Sequence, residues 1–126
     1  DVDRAGIKIA VSERSAYDLW LTDHFSQPQI IRAPSIQAAH DLFFEKKVDV
    51  LASLKPKLLE DMANHSDFRM IDTPFTAVKQ SIGLAKGKAE SIAFINALIA
   101  QSIESGWIAA QLEIHGMTGK LGIDPN

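Results

Sequence analysis

The chain has 126 residues, 46% of them hydrophobic and 23% charged, with a formal net charge of -3, a balance suited to one globular domain with a real core. No basic field marks nucleic acid as the main partner, and the absence of cysteine excludes disulfides, thiol nucleophiles and Cys-based metal sites. No apolar run approaches the roughly 18 residues a membrane span requires, and no charged-then-apolar leader opens the sequence, so either the protein is made without one or it lies outside this chain.

Ile7 to Val11 is an apolar run that stops at a small polar loop, Ser12 to Ser15, and leads into helical spacing from Tyr17 to His24. The Ser26-Gln27-Pro28 break ends that helix, and Gln29 to Arg32 reads as a second strand. Ser35 follows Pro34 as an N-cap, with Ile36, Ala39, His40 and Phe43 on one face of a helix predicted to run to about Lys47. Val48 to Ala52 is a third apolar strand, with a further helix from Lys57 to Ala63. This alternation of strand and helix predicts an α/β fold, a parallel sheet covered by helices with its strand ends along one rim.

The second part has a different character. Phe68 to Ile71 is strand-like, Asp72-Thr73-Pro74 breaks it, and Val78 to Ala85 is a further extended run. From Ala89 to Ser105 the pattern is helical, with Ile92, Ile95, Ile99 and Ile103 on one stripe and Phe94 and Leu98 widening it. Gly106 is placed to stop that helix, Trp107 to His115 makes a last short one ended by Gly116, and Met117 to Asn126 reads as a weakly ordered tail.

A strand aimed into a helix start leaves backbone N–H groups free to receive an anion such as a carboxylate or phosphate. The amides of Ala16 and Tyr17, the Ser15 hydroxyl and the Arg14 fork form such a site at the Ser12 to Tyr17 loop, with the Tyr17 ring placed to line it. The alternative is that Ser15 caps its own helix and Arg14 is solvated. On the same rim, Ser53-Leu54-Lys55-Pro56-Lys57 brings two lysines that either raise the potential for an anion or stand as exposed helix-entry charges.

Other chemistry is poorly represented. The four histidines, His24, His40, His65 and His115, show no metal-binding spacing, and His40 on an apolar helical face reads as a packed core or boundary residue. Gly83 to Ala89 superficially resembles a phosphate loop, but its glycines are too close and Ala89 replaces the needed hydroxyl residue. No nucleophile, base and orienter set is evident, so no metal, cofactor or enzymatic activity is expected. Core packing is the default for Trp20, Phe25, Phe43, Phe44, Phe68, Phe75, Phe94 and Trp107.

These residues together resemble the second half of a bacterial extracellular solute-binding protein of family 3, the type II periplasmic binding proteins of ABC importers for amino acids. The resemblance rests on Ala5 to Val11 with the Arg14-Ser15-Ala16 turn, on Ala33-Pro34-Ser35 through Ala39 leading to Val48 to Leu51, on Gln80 to Gly87, and on Gly106 to Ala109. Nearly the whole chain is covered. It implies a three-layer distal lobe over residues 1–79, then a returning hinge strand near Gln80 to Ala85 and helices over residues 80–126 that pack on a first lobe not present here. It also implies a periplasmic protein with a signal peptide upstream, a small-molecule solute between two lobes, and an ABC permease as partner.

By position, Ser15 matches the Ser or Thr that helps hold a ligand's α-carboxylate, with Ser12, Ala16, Tyr17, Ser53 and Gln80 around the same cleft. Arg14 stands where the family often has Gly, and Leu54 where amino-acid binders usually place an Asp for the ammonium. An ammonium would be poorly compensated there, so an anionic organic solute fits better than a standard α-amino acid. The same fold also implies two alternatives: the sensor part of a membrane-bound kinase or regulator, and a dehydratase-like enzyme with Glu13 as its nearby acid or base. Apolar stripes on the last helices are expected to pack on the lobe, drive self-association or stay exposed.

Overall fold

Lys8–Ser12 forms β1, which is central in a three-stranded parallel sheet of order β2-β1-β3, in a computed structural model that describes residues 2–71 and 73–123. The chain divides into two compact units, Asp1–Val78 and Lys79–Asn126. In the first unit, α1 (Ala16–His24) connects β1 to β2 (Gln29–Ala33), and α2 (Ile36–Phe44) connects β2 to β3 (Val50–Leu51), followed by α3 (Lys55–Met62). Both pairings of β1 are parallel, Lys8 with Gln29 through Ser12 with Ala33 on one side, and Ile9 with Val50 and Ala10 with Leu51 on the other.

Alternation along β1 divides the core into two clusters. Ile9 and Val11 pack with Tyr17 and Leu21 of α1 and with Ala52, whereas Ala10 packs with Ala33, with Ala39 of α2 and with Val48. Because successive strand side chains point to opposite faces, α1 and α2 cover opposite faces of one sheet. The result is a three-layer α/β unit in which the central strand is buried from both sides.

Both helix starts follow from local side-chain capping. Ser15 Oγ accepts the Asp18 amide at 3.1 Å and Ser35 Oγ accepts the Ala38 amide at 3.1 Å, each satisfying an N–H that the helix cannot. The end of α2 comes earlier than about Lys47. Lys46 turns left-handed at φ 57°, and the amides of Lys46 and Lys47 bond back to Phe43 and Leu42, which closes the last turn. Pro56 lies in the first turn of α3, where its missing N–H costs nothing.

Three extended segments differ from expectation. β3 is only two residues long, because the Asp49 carboxylate takes the Lys8 amide at 2.8 Å in place of a strand carbonyl. The ladder nonetheless continues around it, through Asp49 N–H to Lys8 and Ala52 N–H to Ala10. Phe68 to Ile71 is not a strand; Phe68 instead packs its ring on Phe43 and Phe44, at centroid distances of 4.6 and 5.3 Å. Val78 to Ala85, expected to be extended, also lacks regular structure, and among the described residues no strand is assigned there. Asp72 of the expected break lies outside the described residues.

The second unit contains α4 (Ala89–Glu104) and α5 (Trp107–Ile114). Gly106 and Gly116 stop them with left-handed backbones at φ 74° and 63°, a geometry that glycine adopts without strain. Phe94, Trp107, Leu98, Ile92 and Ile114 are exposed, so core packing does not hold for these two aromatic residues. Of the tail, Thr118 and Leu121 form an isolated bridge, and residues 124–126 lie outside the described residues. Among the described residues no single helix is long and apolar enough to cross a membrane; α4 and α5 reach that length only together, bent by 68°.

Candidate functional site

Two side-chain systems meet the carboxyl rim of the sheet, between β1 and β3. The chain leaves β1 toward β2 on one side and returns from β2 to β3 on the other, so this gap is the point at which strand order reverses. Open α/β sheets form a crevice outside the strand ends at such a point. Extending the register of Ala10 with Leu51 by two residues brings Ser12, at the end of β1, level with Ser53, two residues past the end of β3.

The first system is the turn from Ser12 to Tyr17. Glu13 N–H prolongs the ladder to Ala33, and Ser15 N–H bonds to Ser12 carbonyl oxygen at 3.2 Å. Arg14 sits between them at φ 60°, with its amide donating to Asp18 Oδ2 at 2.9 Å. Ser15 caps α1, the simpler of the two readings of that residue.

What remains for a guest is the pair of amides at Ala16 and Tyr17, which have no acceptor among the described residues, together with the hydroxyl hydrogen of Ser15. The exposed Arg14 guanidinium likewise has no partner among the described residues and stands at the same turn. Asp18, 3% exposed, holds the turn from beneath through Arg14 N–H and through Arg32 Nε at 3.0 Å. The ring of Tyr17 does not line the rim; it is buried in the α1 face of the core because position N2 of this helix points inward.

The second system is a chain of side chains behind Ser53. His40, 1% exposed, approaches Ser53 Oγ with Nε2 at 2.8 Å, and its Nδ1 is hydrogen-bonded to Asp61 Oδ2 of α3. Lys57 Nζ holds the other carboxylate oxygen at 2.8 Å. Burial alone would raise the Asp61 carboxyl, but hydrogen bonds from Lys57 and His40, with their charges, hold it below its ordinary 3.8. Where the Asp61 carboxylate accepts the hydrogen bond of Nδ1–H, Nε2 is the ring nitrogen turned to the Ser53 hydroxyl and, in the tautomer that leaves it unprotonated, accepts from it.

Serine, imidazole and carboxylate are thus connected in a set that local sequence does not show. Ser53 and Asp61 lie 13 and 21 residues from His40, and only the sheet order brings them together. The one available signal was a histidine on the apolar face of α2, which buries its ring and therefore requires polar partners.

The other expected residues are placed less centrally. Leu54 is the N-cap of α3, without a side-chain cap bond and 38% exposed. Lys57 is engaged by Asp61 and Glu60, so its charge is partly compensated within α3. Gln80 is exposed in the second unit, in irregular backbone. A concavity of about 380 Å³ in that unit is lined by Leu98, Gln101, Ser102, Ser105 and Trp107. With no charged wall it is an open apolar dent and does not suit an anion.

Among the described residues no cluster of three His, Cys, Asp or Glu forms that could hold a metal. Compared with known proteins, the chain matches no family model, no curated protein and no solved structure.

Proposed function

We propose that this chain is the ligand-binding lobe of a periplasmic solute receptor serving an ABC importer, and that it captures a small organic anion at the β1–β3 rim. The observation that supports this is the position of the unpartnered Ala16 and Tyr17 amides beside the strand-order reversal of a parallel sheet. Arg14 adds the charge that a carboxylate needs, and the hydroxyls of Ser12 and Ser53 flank it. Leu54 offers no carboxylate to an ammonium, which disfavours an ordinary α-amino acid.

In this reading a second lobe supplies the opposite wall of the cleft, and closure of the two lobes is what a membrane permease recognises. Helices α4 and α5, with Phe94, Trp107 and Ile114 exposed, serve as a surface for that lobe or for a second copy of the chain. Capture at the amides needs no reaction.

Calorimetric titration of the intact protein with small organic acids and with α-amino acids tests the proposal. Organic acids are expected to bind, with affinity falling about tenfold or more in Arg14→Gly and Ser15→Ala, the loss of one charge-assisted contact. Tight binding that demands the α-ammonium group, or binding indifferent to both substitutions, contradicts it.

A further inference from the structure

We propose that Ser53, His40 and Asp61 form an acyl-accepting centre in which Ser53 Oγ is a nucleophile toward carboxylic esters and related activated acyl compounds. A serine hydroxyl is a weak nucleophile until a base takes its proton, and such a base works best when a third group sets its tautomer. Each of those relationships is present: Ser53 Oγ lies 2.8 Å from His40 Nε2, Nδ1 is engaged by Asp61, and Lys57 secures the far oxygen of that carboxylate.

Their placement agrees with that role. Ser53 follows the buried Ala52, two residues past the end of β3, and is half-buried at the strand rim, whereas His40 is enclosed beneath it. The imidazole is therefore shielded from water, whereas Ser53 is partly exposed. The next amide, that of the α3 N-cap residue Leu54, has no acceptor among the described residues and can donate to an oxygen developing negative charge.

The chemistry closes without any further group. The Ser53 Oγ–acyl bond forms as its proton passes to His40 Nε2; the ester C–O bond breaks, and the departing alkoxide takes that proton. Water then attacks the acyl carbon, His40 accepts its proton, and carboxylic acid leaves as that proton returns to Ser53 Oγ. His40 acts on the reacting proton, whereas Asp61 is a positioning residue.

A fluorophosphonate probe tests this independently of solute capture, since it forms an Oγ–phosphorus bond and releases fluoride. Peptide mapping by mass spectrometry is expected to place the adduct on Ser53, to lose it in Ser53→Ala, and to find its rate at least tenfold lower in His40→Gln. Because His40→Gln disturbs the core, Asp61→Asn provides a second arm. It should slow labelling while ¹⁵N shifts of the His40 ring report movement of the proton from Nδ1 to Nε2, a change that a purely structural role of Asp61 does not produce. Absence of a Ser53 adduct in the folded wild-type protein, or equal labelling rates in Asp61→Asn, overturns the proposal. Loss of organic-acid binding in Arg14→Gly with Ser53 labelling intact would leave this centre standing, and the converse result would leave only the receptor reading.

Discussion

The Asp18 carboxylate accepts the backbone amide of Arg14, four residues upstream, at 2.9 Å. With Ser15 Oγ taking the Asp18 amide in return, the turn after β1 is closed by reciprocal bonds that leave the next two amides unused. The rim is shaped by this pair more than by Ser15 alone, because Asp18 also anchors Arg32 from β2.

Asp18→Ala is expected to destabilise the protein by about 2–3 kcal/mol, since it removes a buried carboxylate and strands the Arg14 N–H and the Arg32 guanidinium. Thr22→Val, which removes only the neighbouring hydroxyl from Asp18 carbonyl oxygen and Arg32, should cost less than about 1 kcal/mol. Urea unfolding of the two variants provides the comparison. Equal losses would show that Asp18 is not the anchor of the turn.

Among the described residues two that are not glycine, Arg14 and Lys46, hold left-handed backbones, a conformation that crowds any Cβ. Lys46→Gly is expected to stabilise by up to about 1 kcal/mol, because the bonds that end α2 are made by backbone alone. Arg14→Gly should show a similar gain in thermal unfolding yet lose affinity for organic anions. That opposition separates a residue retained for its charge from one that is merely tolerated. Loss of stability in Lys46→Gly would mean that its side chain contributes more than its strain removes.

The acid limb of stability should depend on Asp61. Burial raises its carboxyl, yet hydrogen bonds from Lys57 and His40 outweigh that effect and depress it below 3.8. A carboxyl depressed in the folded state stabilises fully above its unfolded value and loses that contribution as pH falls through the folded one. The advantage of the wild type over Asp61→Asn should therefore shrink as pH drops from about 5 toward 2. Lys57 is raised above 10.5, chiefly by its hydrogen bond to Asp61, with burial opposing and Glu60 adding. Its contribution is present below the unfolded value and fades as pH climbs through the folded one, so the same gap should narrow again in strong base. Denaturant midpoints across pH provide the check, and a gap of constant size would contradict both assignments.

Local chemistry carried much of the fold. Ser15 and Ser35 announce their helices because a cap needs only its own next three residues, and Gly106 and Gly116 announce their ends for a similar reason. Ile9, Ala10 and Val11 read as a buried strand without reference to any partner. Phe68 to Ile71 failed that test because its apolar character serves an aromatic contact with α2 and not a ladder.

The candidate site divided along the same line. The amides at Ala16 and Tyr17 follow from chain direction alone, whereas the inward Tyr17 ring depends on which face α1 presents to the sheet. His40 lies on α2, Asp61 on α3 and Ser53 in the loop before α3, and nothing in their spacing signals that they meet. Their proximity arises from the order β2-β1-β3, which long-range packing decides.

Whether the turn after β1 receives an anion is decided by ¹H–¹⁵N resonance titration of the intact protein with a panel of small organic acids. Saturable shifts of the Ala16 and Tyr17 amides are expected with at least one member, abolished in Arg14→Gly. Amides that remain unmoved while a solute binds elsewhere on the protein would contradict anion capture at that turn.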